Sequence, residues 1–517
     1  MPDVSGPTGY LFDFMDLSYT YLLIPSLLIL VVIAAVWLDR FSVPVILVAL
    51  GAGILFGSDV LNMWYFEDAE LTNKVANLAL VFILFQGGFA TKRGNFRLVA
   101  VPAGGLATWG VILTAAITFG CLHYALGWPM ELSLLLAVII SSTDAAAIFS
   151  ILRRQSLPPK LSSTLEIESA ANDPMAILLT MAAVEGLKSG QIEGLETIGL
   201  FLWKFAAGPA MGWMIARGAV MLFNRLNPQE RGYYYVLLVG VILLSYGLTE
   251  LVHGSGMLAA FATGFVMGNS HFIYKQGARN FSAALSTIAN IGVFVLMGLL
   301  VFPHRWSSLW VDGIILFLVL TLVARPLAVW IGTLGMGIDA RSKVFISWAG
   351  LRGAVPIVLA TYPMAAGLPQ GEDVFNLVFF AVLLSVMFQG GTLGMVARWL
   401  GLSTPSRPMQ RHALELVTMA KSDLDLLVVD LPDPKGCPGA KIRDLQLPPG
   451  AVITLITRDG EVLTPKGNTR LLGWDQVTVL ARSEDEDKVR DALLLPFDQP
   501  PTADAPPPAE PGPYVAG

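Results

Sequence analysis

The sequence predicts an all-α polytopic membrane protein with a small α+β domain at its C-terminal end. Three observations predict it. The 517 residues are 54% hydrophobic and only 14% charged, where soluble domains carry about 25% charged residues. Apolar runs long enough to cross a bilayer recur down to about residue 401. Past that point the chain breaks into short β-type runs separated by turn residues.

The apolar runs fall near 21–38, 41–57, 74–91, 98–122, 132–152, 161–186, 197–224, 232–252, 254–270, 282–303, 311–335, 342–366 and 374–401, about thirteen spans. Ahead of them, residues 1–20 hold Asp3, Asp13 and Asp16 and no Lys or Arg. A cleavable signal wants the opposite charge, so this end is read as mature and extracytoplasmic. Loop charge supports the count independently. One set of alternate loops holds Arg40, Lys92, Arg93, Arg97, Arg153, Arg154, Lys160, Arg225, Arg231, Lys275, Arg279, Arg341, Lys343, Arg407 and Arg411. The other holds mostly acids, among them Glu67, Asp68, Glu70, Glu193, Glu196, Glu372 and Asp373. By the positive-inside rule the N-terminus lies outside and the C-terminus in the cytoplasm.

An odd number of spans permits two inverted six-helix halves around a seventh, with a site between broken helices at the midplane. The fifth and twelfth spans carry the interruptions, Ser141-Ser142-Thr143-Asp144 and Gly350-Leu351-Arg352-Gly353-Ala354-Val355-Pro356. Glycine-rich runs such as Gly51-Ala-Gly53 and 254–268 suit close helix packing. Gln86-Gly-Gly88 and Gln389-Gly-Gly391 recur in the third and thirteenth spans and suggest packing alone.

After a Pro/Ser linker at 402–422, whose second half reads as a soluble helix, residues 423–495 form the cytosolic domain. Strands are expected at 426–430, 452–456 and 476–480, a hairpin turn at Asp459-Gly460 and a closing helix at 484–494. Residues 496–517 read as a Pro/Ala-rich disordered tail. Two cysteines, Cys121 and Cys437, make no disulfide framework, and the five histidines stand singly, so neither a metal cluster nor a cofactor is expected. No basic patch with interleaved aromatics is present, which excludes nucleic acid as a partner.

The chemistry concentrates in residues 165–176. Glu168 and Asn172 are four apart, as are Ser169 and Asp173, so all four share one helical face within the sixth span. A mid-membrane Asp or Glu costs roughly 3 kcal/mol on a translocon scale. Intramembrane ionisable groups mark ion or proton pathways by default. Pro174 cannot donate to the Ala170 carbonyl, which leaves a free acceptor beside Asp173. A buried carboxylate holds a proton or a dehydrated alkali cation, seldom both, and that competition suffices for exchange if the site faces the two sides in turn. Asp144, in an interrupted span, offers hard oxygens to the same ion. The plainer readings are Asp173 as a hydrogen-bonding residue at a helix break and Asp144 as the cap of a half-helix. Glu168 and Arg352 are expected to form a structural charge pair, and Arg325 is a further candidate cation.

With Ser142-Thr143-Asp144, Glu168-Ser169-Ala-Ala-Asn172-Asp173-Pro174 and Gly350-Leu-Arg352-Gly353-Ala-Val, residues 20–401 resemble the NhaP/NHE branch of monovalent cation:proton antiporters. The resemblance implies an NhaA-like fold and a homodimer whose mobile core moves like an elevator. It further implies Asp173 as carrier of cation and proton, with Thr143, Asp144, Ser169 and Asn172 around the ion and Glu168–Arg352 as the stabilising pair. An Asn-Asp pair in place of two Asp implies electroneutral exchange. Ala170 departs from the glycine of many members. Residues 423–495 resemble the TrkA-C domain through Leu447-Pro448-Pro449-Gly450-Ala-Val-Ile and Gly473-Trp474-Asp475, where Trp474 is an insertion. That likeness implies a small-molecule regulator and, for this branch in the bacterial inner membrane, K⁺ exchanged for H⁺, with Na⁺ or Li⁺ as the alternative cation. A gated cation channel would show a carbonyl filter such as Thr-Val-Gly-Tyr-Gly, and none is present. An intramembrane aspartyl protease would need Gly-x-Gly-Asp and Tyr-Asp in place of the contexts of Asp144 and Asp173. No enzyme is therefore expected, and the partners are the ions and membrane lipid.

Overall fold

A computed structural model describes residues 17–38, 43, 45–57, 60–61, 68–144, 148, 155–189, 194–226, 230–301, 303–402, 404–405, 424–431, 439–458, 461–482 and 485–498. The expected soluble helix at 410–422, the Asp459-Gly460 turn, residues 499–517 of the tail and the loop cations Arg40, Arg153, Arg154, Arg407 and Arg411 lie outside the described residues; residues 496–498, read as the start of the tail, are instead the last turn of the closing helix.

The chain divides into two units, one of residues 1–270 and 278–406 and the other of residues 271–277 and 407–517. In the first the helices are α1 (Leu17–Leu38), α2 (Val45–Phe56), α3 (Ala69–Ala90), α4 (Arg93–Gly105), α5 (Val111–Gly120), α6 (Met130–Ile139), α7 (Pro159–Ser189), α8 (Gly194–Arg225) and α9 (Gly232–Leu251). They continue as α10 (Gly256–Gly268), α11 (Lys275–Leu299), α12 (Trp306–Leu318), α13 (Arg325–Gly332), α14 (Ala340–Trp348), α15 (Ala354–Ala365), α16 (Gly371–Leu384) and α17 (Gly391–Trp399). Wider π turns at Leu106–Gly110, Val319–Ala324 and Ser385–Gly390 join α4 to α5, α12 to α13 and α16 to α17 into longer rods. Among the described residues seven helical stretches are long and apolar enough to cross a membrane, and shorter apolar helices of 10–17 residues accompany them. A short antiparallel pair, β1 (Gln155–Ser156) with β2 (Thr404–Pro405), lies in the same unit.

Starts are set by caps where the sequence supplies them. Asp68, Ser255 and Asp339 each accept a backbone N–H from the first turn of α3, α10 and α14. Helix α7 runs unbroken through Pro174. The two expected interruptions are present: α6 stops at Ile139 and a turn leads into a non-helical stretch that runs to Asp144, while Ala349–Gly353 separates α14 from α15.

Glycines decide how closely several helices pack. A Cβ on Gly88 of α3 would collide with the backbone of Phe261 in α10, and one on Gly264 or Gly268 with the backbone of Phe85 or Phe89 in α3. Gly53 and Gly298 face each other in the same way across α2 and α11. The packing expected of these glycine runs is thus direct contact between backbones.

The second unit is an antiparallel sheet of β3 (Leu424–Asp430), β4 (Val452–Arg458), β5 (Glu461–Leu463) and β6 (Gln476–Arg482), in spatial order β3-β6-β4-β5. Helix α18 (Glu486–Asp498) covers it. Val489, Leu493 and Phe497, spaced by one helical repeat, meet Val477, Val479 and Ala481, which alternate along β6. Arg458 opposes Glu461 across the expected turn. Asp475, fully buried, takes a two-pronged bond from Arg458 (2.8 and 2.7 Å) and the Leu472 N–H (2.8 Å). The inserted Trp474 is accommodated at φ +68°, in the left-handed region, with its N–H on the Leu431 carbonyl.

Candidate functional site

The two interruptions meet. Residues 140–144 and 349–353 leave the helical path, so their backbone groups need partners from elsewhere. The Asp144 N–H donates to the Leu351 carbonyl at 2.8 Å, tying one break to the other. Arg352, the largest fully buried side chain described, sends Nη1 to the carbonyls of Ser141 (2.9 Å) and Ser142. Its own N–H reaches Ser385 Oγ (3.2 Å), Ser385 donates to Gln389 Oε1 (2.6 Å), and Gln389 Nε2 donates to the Trp348 carbonyl (3.1 Å). Gln389 therefore does more than pack: with Ser385 in the π turn, it satisfies the second break from behind.

Helix α7 lines the front. Asn172 Nδ2 donates to Thr143 Oγ1 (2.6 Å), and Ser169 Oγ donates to the Thr143 carbonyl (2.6 Å). Ser169, Asn172 and Thr143 are brought together, and each holds another in place. One turn along the same face, Asp173 is half-buried beside Asp144, the neighbouring acid that acts on it, and beside Ser142. Ser142 Oγ is buried and makes no hydrogen bond of normal geometry. It belongs to the site although its neighbours in the motif drew more notice.

The expected ion pair of Glu168 with Arg352 needs correction. Glu168 pairs with Arg325 Nη2 at 2.5 Å, both buried. Arg352 is occupied with the free carbonyls of the first break, and Glu168 acts on it only from beyond ion-pair distance. The path to Glu168 is cleared by Gly350, where a Cβ would stand 2.7 Å from Arg325 Nε. Gly353 serves the other carboxylate, since a Cβ there would overlap the Asp144 side chain. The Gly-x-Arg-Gly spacing thus makes room for one buried cation and one acid while placing a second cation between them.

Among the described residues, two buried guanidinium groups (Arg325, Arg352) accompany one buried carboxylate (Glu168) and two half-buried ones (Asp144, Asp173). If all are ionised, these described groups carry one more negative charge than positive, an excess that one monovalent cation or one proton would cancel.

On the far side of α15 a polar seam joins it to α3. Asn73 Nδ2 donates to Thr361 Oγ1 (2.9 Å), Asn77 Nδ2 to Asn73 Oδ1 (2.8 Å) and the Tyr362 hydroxyl to Asn77 Oδ1 (2.5 Å).

Carboxylates where two interrupted helices meet, in a unit of apolar helices long enough to span a membrane, suit a site for a monovalent cation or a proton. The pattern "sodium/hydrogen exchanger, transmembrane" matches residues 26–399, and the TrkA-C domain matches 426–494. The chain belongs to the sodium/hydrogen exchanger family. It is 35% identical over 473 residues to the K⁺/H⁺ antiporter NhaP2 of Shewanella oneidensis, covering 90% of this chain and 81% of the relative. It is 33% identical over 477 residues to the K⁺/H⁺ antiporter NhaP of Alkalimonas amylolytica, covering 91% and 82%. The sodium proton antiporter MjNhaP1 of Methanocaldococcus jannaschii, solved at pH 8, superposes on 73% of this chain and all of its own with a TM-score of 0.64 at 22% identity, which establishes a shared fold.

Proposed function

We propose that the protein exchanges K⁺ for H⁺ one for one, cation and proton competing for Asp173. The observation that carries this is that, among the described residues, Asp144 and Asp173 come together where the two breaks meet, with one carboxylate more than the guanidinium groups there. Asp173 and Asp144 supply charged oxygens, and Ser142 and Thr143 neutral ones. Ser169 and Asn172 hold Thr143 in register and bring their remaining lone pairs to the ion. Glu168 with Arg325, and Arg352 on the Ser141 and Ser142 carbonyls, keep the two breaks crossed. The preference for K⁺ rests on relatives of over 80% matched length that are named K⁺/H⁺ antiporters; Na⁺ or Li⁺ is the second reading.

In the same proposal thirteen spans form inverted NhaA-like halves in a bacterial inner membrane, N-terminus outside, and two copies make a dimer. The α6–α7–α15 core moves against α3 and its neighbours, breaking and remaking the Tyr362–Asn77 seam. No catalytic chemistry or cofactor is invoked, and residues 423–495 bind a small-molecule regulator. One pH unit is worth about 1.4 kcal/mol, enough to sustain roughly a tenfold opposing cation gradient.

The test is proton movement in everted vesicles or proteoliposomes given K⁺, Rb⁺, Na⁺ or Li⁺ separately, with and without residues 404–517. A response to K⁺ and Rb⁺ that survives truncation supports the proposal. Responses to Na⁺ and Li⁺ alone would overturn the ion assignment, and silence with every cation in the full chain would overturn the exchange itself.

A further inference from the structure

The crossing makes no use of an apolar groove behind it. We propose that this groove binds one acyl chain of an anionic phospholipid, with the phosphate held by Arg341 and Lys343. A cavity of about 340 Å³ lies among Leu322, Pro326, Trp330, Val344, Trp348 and Trp399, between α13, α14, α17 and the π turn before α13. Pockets that hold small molecules run from about 300 to 1,000 Å³. Leu322, Trp330, Val344 and Trp399 are exposed, so the groove opens outward from a unit built of membrane-spanning helices, where hydrocarbon is the solvent.

Its two ends differ. At one, Lys343 Nζ stands 5.3 Å from the centre of the Trp330 ring, and Arg341 Nη1 lies 4.0 Å from where a Cβ on Gly401, just past Trp399, would stand. Asp339, the acid nearest in sequence, is engaged in capping α14 through the Ser342 N–H at 3.0 Å. The other end, at Thr321, Leu322 and Trp348, carries no charged lining residue. From Trp330 to Thr321 the helical path covers roughly 14 Å at 1.5 Å per residue. An apolar channel of that length with two cations at one mouth is complementary to a chain with a negative head, and Trp at the mouth suits the interfacial level of a bilayer.

The back wall matters to the antiporter. The Trp348 carbonyl accepts from Gln389, Gln389 holds Ser385, and Ser385 receives the Arg352 N–H. Pro326 follows Arg325, the partner of Glu168. A chain lying in the groove therefore supports both residues that keep the crossing in register.

Binding is read without transport, so its failure is distinct from failure of the exchange reading. The full chain, delipidated in detergent, is melted with added phosphatidylglycerol, phosphatidylcholine or glycerol 3-phosphate, and retained lipid is counted by intact-complex mass spectrometry. Phosphatidylglycerol is expected to raise the melting temperature about twice as far as phosphatidylcholine, since each basic residue near an anionic lipid adds attraction. Glycerol 3-phosphate, lacking a chain, should shift nothing, and one phosphatidylglycerol per chain should be retained. Arg341→Ala with Lys343→Ala should bring phosphatidylglycerol down to the phosphatidylcholine level. Leu322→Trp, at an exposed position that fills the groove, should abolish the retained lipid while the lipid-free melt stays unchanged. Equal shifts by the two lipids, an undiminished shift in the double variant, or a shift by glycerol 3-phosphate alone would overturn the proposal. So would conversion of a dimer to a monomer by Leu322→Trp, which would make the groove a contact between copies.

Discussion

Two parts of the membrane unit hold helices together by opposite means. Between α3 and α10 the contact is backbone against backbone, with Gly88, Gly264 and Gly268 removing every side chain that would hold the helices apart. At the crossing of the two breaks, buried polar groups do the joining: Asp144 N–H to Leu351, Arg352 to Ser141 and Ser142, Glu168 to Arg325. A glycine-lined contact has one register and resists sliding, whereas hydrogen bonds and ion pairs can be exchanged for others of similar strength. A rigid scaffold beside an exchangeable polar core is what the proposed exchange requires.

The comparison can be broken most forcefully at Glu168. Removing one member of a buried ion pair costs about 3–5 kcal/mol, so Glu168→Ala should lower the melting temperature steeply. A double-mutant cycle should place more coupling on Glu168–Arg325 than on Glu168–Arg352; the reverse order would restore the pairing that the sequence suggested. Next comes the scaffold. Gly264→Ala should cost about 1–3 kcal/mol through overpacking against Phe85. Gly87→Ala, where nothing lies within 4 Å of the added atom, should be neutral or stabilising by up to about 1 kcal/mol. Indistinguishable melting curves for these two would mean that the α3–α10 contact is not held by close backbone packing. Tyr362→Phe takes one hydrogen bond out of the seam and should cost about 1 kcal/mol while changing the exchange rate; an unaltered rate would remove the seam from the transport cycle.

The smallest effect is at Asp339, outside the spans. Hydrogen bonds from the side chain and backbone of Ser342 hold its carboxyl below the usual carboxylate value. A depressed folded-state value means that its stabilisation is present at neutral pH and lost as pH falls through that value, below about 4. Asp339→Ala should therefore cost about 0.5–1 kcal/mol at pH 7, and the gap between the variant and the unsubstituted chain should close in acid. A gap that persisted there would mean the carboxylate was not its source.

Much of this site could be read from spacing. Four polar residues on one face of α7, and two spans interrupted by Ser-Ser-Thr-Asp and Gly-Leu-Arg-Gly, locate the crossing because helical geometry and membrane polarity are local rules. The partner of Glu168 was not legible. Arg325 stands well over a hundred residues away, and only the crossing decides which of two buried arginines reaches the carboxylate. The same holds for Gly350 and Gly353, whose purpose lies in the Arg325 and Asp144 side chains they admit. Gln86 and Gln389 resembled packing residues, yet Gln86 Oε1 accepts from Ser282 Oγ at 2.5 Å and Gln389 supports the second break. The sheet of the second unit was easier: period-two strands and a hydrophobic repeat in α18 announce their buried faces without tertiary information.

In the proposed exchange, a cation or a proton, but not both, occupies Asp173. The direct measurement is proton release when K⁺ is added to the purified, weakly buffered full chain, beside Asp173→Asn. About one proton released per K⁺ bound, absent in the folded variant, is the predicted result. K⁺ binding without proton release, or undiminished release from Asp173→Asn, would contradict it.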